Sequence, residues 1–276
     1  LERVTARAGD ETRPLGERIN MACALSAWGH EVDASILAES ILAAAPAMLK
    51  NISTACSLQK NAATVRSVIA SQLDKEISVA DRLRVAVVLL DLGDCSGINS
   101  VCAITPSQES RSTFIELFPD ACLNWSTVAQ HLVVGDISNE ALSAICASIG
   151  HISRDSFEQE VASDVVAALR RTYTHAADAG AHSAAGWALR QWGEPLPVLT
   201  AQRESADLDW FALGDGTTIL RVPSGNFPPG TPLIAGFFMA DQEVSVRQFD
   251  AFINDADYPA TEKPEAWETW RASTTE

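Results

Sequence analysis

A short helical phrase that ends in glycine recurs along the first two thirds of the chain, and it constrains the fold more than any other feature. The copies occupy residues 18–29, 82–93, 139–150 and 182–193. Each copy places small residues on one side of a helix and apolar residues on the other, and glycine adopts the left-handed conformation that ends many helices. Small residues allow a neighbouring helix to approach closely. The phrase therefore predicts stacked helices that each end at a glycine.

Between the copies the apolar residues keep a helical period. This period predicts further helices over residues 33–45, 47–58, 61–73, 79–92, 111–117, 124–134 and 157–171, whereas residues 1–17 are polar and irregular. Helix pairs that recur on a degenerate period of about 30–60 residues are typical of a HEAT-like α-solenoid. A non-repetitive helical bundle remains the alternative, because the spacing of the copies is irregular.

The pattern changes after residue 195, where prolines interrupt the helical periodicity. Residues 196–207 are predicted to be a linker. Residues 210–213 and 217–222 then read as a β-hairpin whose Gly-Asp-Gly turn supplies positive φ angles. A loop over residues 223–230 and a strand over residues 237–239 follow, and the next helix carries Phe249, Phe252 and Ile253 on one face.

Two stretches in this last quarter of the chain share an order of elements with a known family. Residues 218–227, Thr-Ile-Leu-Arg-Val-Pro-Ser-Gly-Asn-Phe, form a strand that leads into a Pro-x-Gly-x-Phe pattern. Residues 237–252 form a strand, then Glu-Val-Ser, then a helix with Phe-x-x-Phe. Both resemble the N-terminal part of the formylglycine-generating enzyme (sulfatase-modifying factor) family. The resemblance implies that residues 208–276 are the truncated start of an α+β domain, which follows a mainly α-helical domain over residues 1–195.

The upstream helices also resemble a known segment, through residues 89–94 and 183–193. They are similar to the helical region that precedes such domains in large planctomycete-type multidomain bacterial proteins, which often carry a Ser/Thr protein kinase domain at the N-terminal end. Together with the absent initiating Met, this resemblance implies a fragment of a longer cytoplasmic protein. The remainder of that parent chain is then one expected partner.

The resemblance brings no catalytic residue with it. The catalytic cysteine pair and metal ligands of the family lie downstream of the Glu-Val-Thr helix, but the last cysteine here is Cys146. Glu243 and Arg247 match only the structural part of the motif. A shortened Pro-rich element after Phe227 is a further departure from the family. We therefore predict no catalytic, cofactor-binding or metal-binding residue and no cofactor in this chain.

The kinase loops, the phosphate-binding P-loop and the zinc His-Glu-x-x-His motif are absent from the sequence. The turn at residues 214–216 is predicted to be structural, since no helix opens after it to bind phosphate. Trp187 and Trp192 are predicted to be buried at the end of the last repeat.

Cysteine and histidine spacing gives no metal motif. All six cysteines lie within the first 150 residues, without a Cys-x-x-Cys pair and without a histidine at ligand spacing. They are predicted to be small buried hydrophobes in a reducing compartment. The five histidines are predicted at helix ends or on helix surfaces, with His175 and Asp178 as solvated helical neighbours.

The formal charge of −16 and the pI of about 4.6 limit the classes of molecule that the chain is expected to bind. An acidic surface repels phosphate backbones, so nucleic acid is not an expected partner, and no apolar run is long enough for a membrane segment. Extended repeat surfaces commonly bind proteins. The sequence thus favours a non-catalytic scaffold that binds a basic protein partner through its repeat surface.

An enzyme is the alternative. The parent is then either a formylglycine-generating oxidase that acts on protein cysteine or a Ser/Thr protein kinase, and its catalytic residues lie outside this chain.

Overall fold

A computed structural model of the chain describes residues 2–105, 109–201, 204–225 and 232–259, together with residues 261, 264, 267 and 269. The described part is mainly α-helical and carries a small antiparallel sheet near its C-terminal end. This balance of helix and sheet confirms the mainly α prediction.

The helices of the described part are α1 (Glu2–Ala8), α2 (Leu15–Ala27), α3 (Ala34–Ala43), α4 (Pro46–Ser57), α5 (Ala62–Ala70), α6 (Val79–Asp91), α7 (Ser96–Cys102), α8 (Glu109–Ala121), α9 (Trp125–Val134), α10 (Asn139–Gly150), α11 (Gln159–His175), α12 (Ala179–Gln191) and α13 (Val246–Ile253). Short 3₁₀ turns lie at Ser71–Asp74 and Arg154–Ser156. The strands are β1 (Trp210–Ala212), β2 (Thr218–Val222) and β3 (Phe237–Ala240).

Three of the four predicted glycine ends are confirmed. Gly29, Gly93 and Gly193 follow α2, α6 and α12 with φ angles of 76°, 79° and 66°. The prediction for Gly150 is wrong, because this residue belongs to α10 and does not take a positive φ. A Cβ atom at Gly150 would lie 2.1 Å from the ring of Trp187. Glycine is therefore required there by the close approach of α12 and not by a helix end.

Four helix predictions need correction. The polar segment over residues 1–17 contains α1 and the start of α2, and α7 was not predicted at all. Helix α8 runs through Pro119, which sits in its last turn and removes only one backbone donor. Helix α11 starts after Phe157, because the ring of this residue turns away to pack against the rings of Trp125 and Trp192.

The core has two hydrophobic clusters that meet at α6. One face of α6 (Val85, Val88, Leu89) belongs to the N-terminal cluster with α2–α5. Its opposite face belongs to the C-terminal cluster with α7–α12. Because α6 is buried on both faces, it is the element that joins the two halves of the helical part.

Helices pack mainly on neighbours that are close along the chain. Helix α3 contacts α2, α4, α5 and α6; α10 contacts α7, α8 and α12; and α11 contacts α9 and α12. The structure is thus built from successive local contacts along the helical part.

The three strands form one antiparallel sheet in the order β1-β2-β3. The predicted hairpin is confirmed, with Trp210 opposite Leu220, although only Gly216 of the turn has a positive φ. Strand β3 pairs with β2 and has no partner on its other side among the described strands. Its Phe237, Phe238 and Met239 are each about half exposed. Residues 226–230 of the predicted loop lie outside the described residues.

Helix α13 begins as the sequence indicates. The Ser245 hydroxyl accepts from the backbone N–H of Gln248, and the Gln248 side chain accepts from the backbone N–H of Ser245, which is a capping box. On the predicted apolar face Ile253 is buried, and the ring of Phe249 lies 4.6 Å from that of Trp267.

An aromatic stack joins the sheet to the last two helices of the helical part. The ring of His182 in α12 lies 3.8 Å from that of Trp210 in β1 and 4.4 Å from that of Tyr173 in α11. The indole N–H of Trp210 donates to the carbonyl of Ala176 over 2.7 Å. We call Tyr173, His182 and Trp210 the junction stack.

The predicted linker also contacts the helices, since Leu196 and Leu199 pack against the C-terminal cluster. Residues 202 and 203 of the linker lie outside the described residues.

Candidate functional site

A groove runs between α9 and α11. Asn124 caps α9 by accepting hydrogen bonds from the backbone N–H groups of Ser126 and Thr127, which fixes where this helix starts beside α11. Ala129 and Ala168 line the floor of the groove, and their small side chains leave a volume of about 640 Å³.

A second depression of about 630 Å³ adjoins the first and shares Ser126 with it. Lys50 of α4, Asp91 at the end of α6 and Glu158 before α11 line this depression. Asp91 is held there by a hydrogen bond that the hydroxyl of Ser53 donates. The two depressions share Ser126 in their linings, and we call the two together, from α4 to α11, the α9 groove.

The α9 groove is lined by both apolar and charged side chains. Val133 and Val134 on its rim are 43% and 73% exposed, so they offer apolar contact area. Carboxylates of Asp91, Glu158 and Asp164 lie along it, beside the cations of Lys50 and Arg171. The residues that line it include no histidine or cysteine.

A second candidate site lies at the C-terminal end of α9, where three side chains meet. Cys95 stands just before α7, His131 lies in the last turn of α9, and Asp136 follows the left-handed Gly135. The Nδ1 atom of His131 lies 3.3 Å from the Cys95 Sγ and 3.0 Å from a carboxylate oxygen of Asp136. Sequence reasoning missed this group, because its members lie 36 and 5 residues apart.

This group is not arranged as a cysteine nucleophile. In a Cys-His-Asp triad the two ring nitrogens divide the work: one takes the thiol proton and the other holds the carboxylate. Here both partners meet the same ring nitrogen. Burial and the nearby carboxylate of Asp136 raise the pKa of Cys95 to about 12, so the sulfur stays protonated at neutral pH.

Three of the other cysteines are fully buried, as predicted, whereas Cys23 and Cys122 are only partly buried. All six cysteines are free thiols, and Cys56, Cys102 and Cys146 are fully buried. Burial raises the pKa of each of these three thiols to about 12. They are therefore poor nucleophiles at neutral pH.

The prediction that all histidines lie at helix ends or on helix surfaces is wrong for His182, which is fully buried in the junction stack. Its Nδ1–H donates to the carbonyl of Tyr173 over 2.6 Å, and its Nε2 lies 3.2 Å from the hydroxyl of Thr218. His175 is exposed, as predicted, but it is not a helical neighbour of Asp178: His175 ends α11, whereas Asp178 caps α12 and accepts from the backbone N–H of Ala181.

Both tryptophans of the last phrase lie near the end of α10. Trp192 is buried, as predicted, and donates to the carbonyl of Ile152 over 2.8 Å. Trp187 is only partly buried and packs on Gly150 and His151.

In the part of the chain that the structure describes, none of the helices has the length and apolar character needed to cross a lipid bilayer. No family model, curated protein or solved structure matches the chain.

Proposed function

We propose that this chain is a protein-interaction scaffold, in which HEAT-like helical repeats bind a partner protein through the α9 groove. The observation that carries the proposal is that two large depressions, lined by residues of α4, α9 and α11, share Ser126. The local packing of each helix on its near neighbours supports a repeat architecture, because such contacts are the defining property of solenoids.

The partner that fits is a protein segment that alternates apolar residues with Arg or Lys. The apolar rim at Val133 and Val134 suits its apolar side chains. The net charge of −16 attracts a cationic segment and raises its rate of association.

We also propose that the sheet and α13 are the start of an α+β domain like that of the formylglycine-generating enzyme family. The edge of β3 that faces away from β2 supports this, because it has no partner among the described strands and such an edge favours pairing with a further strand. No cysteine follows Cys146, so we expect this chain to leave a Cys-x-Pro-x-Arg peptide unoxidised in the presence of copper. Formation of formylglycine in that peptide would favour the oxidase alternative.

The scaffold proposal is tested with a displayed peptide library in which apolar positions alternate with Arg or Lys, and a matched library with Asp or Glu. Selected peptides are then measured by fluorescence anisotropy against the whole chain. We expect the basic library to give binders of micromolar affinity whose binding weakens with added salt.

Two matched variants locate the binding. Val133→Lys places a cation on the groove rim and should weaken binding at least about tenfold. Val198→Lys makes the same change at a fully exposed valine outside the groove and should leave it unchanged. Equal affinity of both variants, or selection of acidic peptides alone, would refute the proposal.

A further inference from the structure

The group at the C-terminal end of α9 brings together three side chains of types that commonly bind metal ions in proteins. Among the described residues, Cys95, His131 and Asp136 each offer one ligand atom, and these atoms all lie within 4.8 Å of one another. The group is unrelated to the residues that line the α9 groove.

The distances match the spacing of ligand atoms around one small cation. A tetrahedral Zn²⁺ site has Zn–S of about 2.3 Å and Zn–N or Zn–O of about 2.0–2.2 Å, which places ligand atoms about 3.3–3.6 Å apart. The Nδ1 of His131 lies 3.3 Å from the sulfur and 3.0 Å from the carboxylate oxygen. A metal ion therefore requires the side chains to separate by a few tenths of an ångström.

The three side chains turn toward one another. The Nδ1 atom has either one proton or one lone pair, so it cannot form full hydrogen bonds to both the thiol and the carboxylate. The thiol also faces the Asp136 carboxylate, so the sulfur, nitrogen and oxygen atoms surround one point at which an ion could contact all three.

The backbone around the group is held in place. Gly135 ends α9 in the left-handed conformation, with a φ of 84°, and turns the chain so that Asp136 comes back toward His131. The side-chain carbonyl of Asn99 in α7 accepts from the backbone N–H of Ser138 over 2.8 Å. This bond fixes the segment that carries Asp136 against the helix that follows Cys95.

We propose that Cys95, His131 and Asp136 form a zinc site with three protein ligands and one position open to water. The mixed sulfur, nitrogen and oxygen set suits Zn²⁺ or its substitute Co²⁺, whereas Mg²⁺ and Ca²⁺ require oxygen ligands. The ion has a route to the site, because the side chain of Asp136 is 42% exposed and that of His131 is 14% exposed. On binding, the Sγ–H proton of Cys95 is released to solvent and the sulfur forms the bond to zinc.

The test uses the whole chain without a histidine tag, stripped of metal with a chelator. Co²⁺ is added first, because a cobalt–thiolate bond gives a charge-transfer absorption in the near ultraviolet. We expect one equivalent of Co²⁺ to produce this band and one equivalent of Zn²⁺ to remove it.

Three variants assign the ligands. Cys95→Ser should abolish the band, and Asp136→Asn should weaken Zn²⁺ binding at least about tenfold, as measured by competition with a chromophoric chelator. Cys122→Ser makes the same change at a partly buried thiol outside the group and should keep the band.

The proposal fails if no thiolate band forms with excess Co²⁺, or if the band survives in Cys95→Ser. It also fails if Asp136→Asn binds Zn²⁺ as tightly as the parent chain. Should Cys95→Ser not fold, Asp136→Asn decides the matter, because the Asp136 side chain is 42% exposed and its amide has the same shape. If Zn²⁺ leaves the thermal midpoint of the parent chain unchanged, the three side chains only form hydrogen bonds at the end of α9 and the proposal is wrong.

Discussion

Acidification should weaken the junction between the sheet and the helices through one residue, His182. Burial lowers the pKa of His182 from 6.5 to about 4, and the nearby positive charge of Arg190 adds to this effect. The hydrogen bond to the Tyr173 carbonyl acts in the opposite direction but is the smaller influence. The folded chain therefore favours the neutral form of the His182 ring over the protonated form.

The direction and the size of this change in folding stability follow from proton linkage. Because the pKa of His182 is lower in the folded chain, the unfolded chain binds the proton more tightly, and stability falls as the pH drops from about 6.5 toward 4. Each pKa unit corresponds to about 1.4 kcal/mol, so the loss amounts to about 2 kcal/mol at pH 5 and about 3 kcal/mol at pH 4.

One neighbouring group opposes this trend. Burial raises the pKa of Asp241, which faces Arg190 across 4.0 Å, so its carboxyl takes up a proton more readily in the folded chain. Its contribution to the free energy of unfolding increases as the pH falls. The effect of His182 must therefore be isolated by comparison with a variant at the same pH.

Urea denaturation followed by circular dichroism, at pH 7 and pH 5 and constant ionic strength, gives the comparison. His182→Phe keeps a ring between Tyr173 and Trp210 but cannot titrate, and Asp241 and the other acidic groups remain in both proteins. We expect the parent chain to lose about 2 kcal/mol more than His182→Phe between the two pH values. Equal losses, or an NMR titration of His182 with a pKa above 6, would refute the reasoning.

Three further predictions concern packing and burial. Gly150→Ala should lower the free energy of unfolding by about 1–3 kcal/mol, because the added methyl group overlaps the Trp187 ring. Gly16→Ala in α2 should not lower it, because a methyl group there meets open space. Thermal denaturation of the two variants tests this difference. Asp241→Asn should stabilise the chain at pH 7 by about 1 kcal/mol, since it removes a buried carboxylate that Arg190 compensates only weakly; a loss of stability in urea denaturation would contradict this. The fully buried thiols of Cys56, Cys102 and Cys146 should react with Ellman's reagent at least about tenfold more slowly than in the denatured chain. Rapid labelling of any of these three in the native chain would count against their burial.

The sequence predicted the features of the fold that depend on a few consecutive residues. Gly29, Gly93 and Gly193 end their helices because a left-handed conformation is a local requirement. Gly150 has the same position in its copy of the phrase but a different role, since Trp187 of a later helix occupies the space of its missing side chain. Helix α7 escaped prediction because seven residues are too few to show an apolar period.

The candidate sites depend on contacts between distant residues, and sequence spacing carries little information about them. Cys95 and His131 lie 36 residues apart, which is far outside the short spacings of zinc motifs. The one local signal was Asp136, which follows a helix-ending glycine five residues after a histidine. His182 looked like a surface residue because its neighbours in α12 are small, and its burial comes from β1, which arrives from 28 residues further along the chain.

The junction stack attaches the sheet to the helices that border the α9 groove. The ring of Trp210 stacks on His182 of α12, and its indole N–H donates to the carbonyl of Ala176 just after α11, which also lines the groove. Under the proposed scaffold function, a change at His182 would therefore alter the placement of β3 relative to a segment bound in the groove, although the residue touches neither.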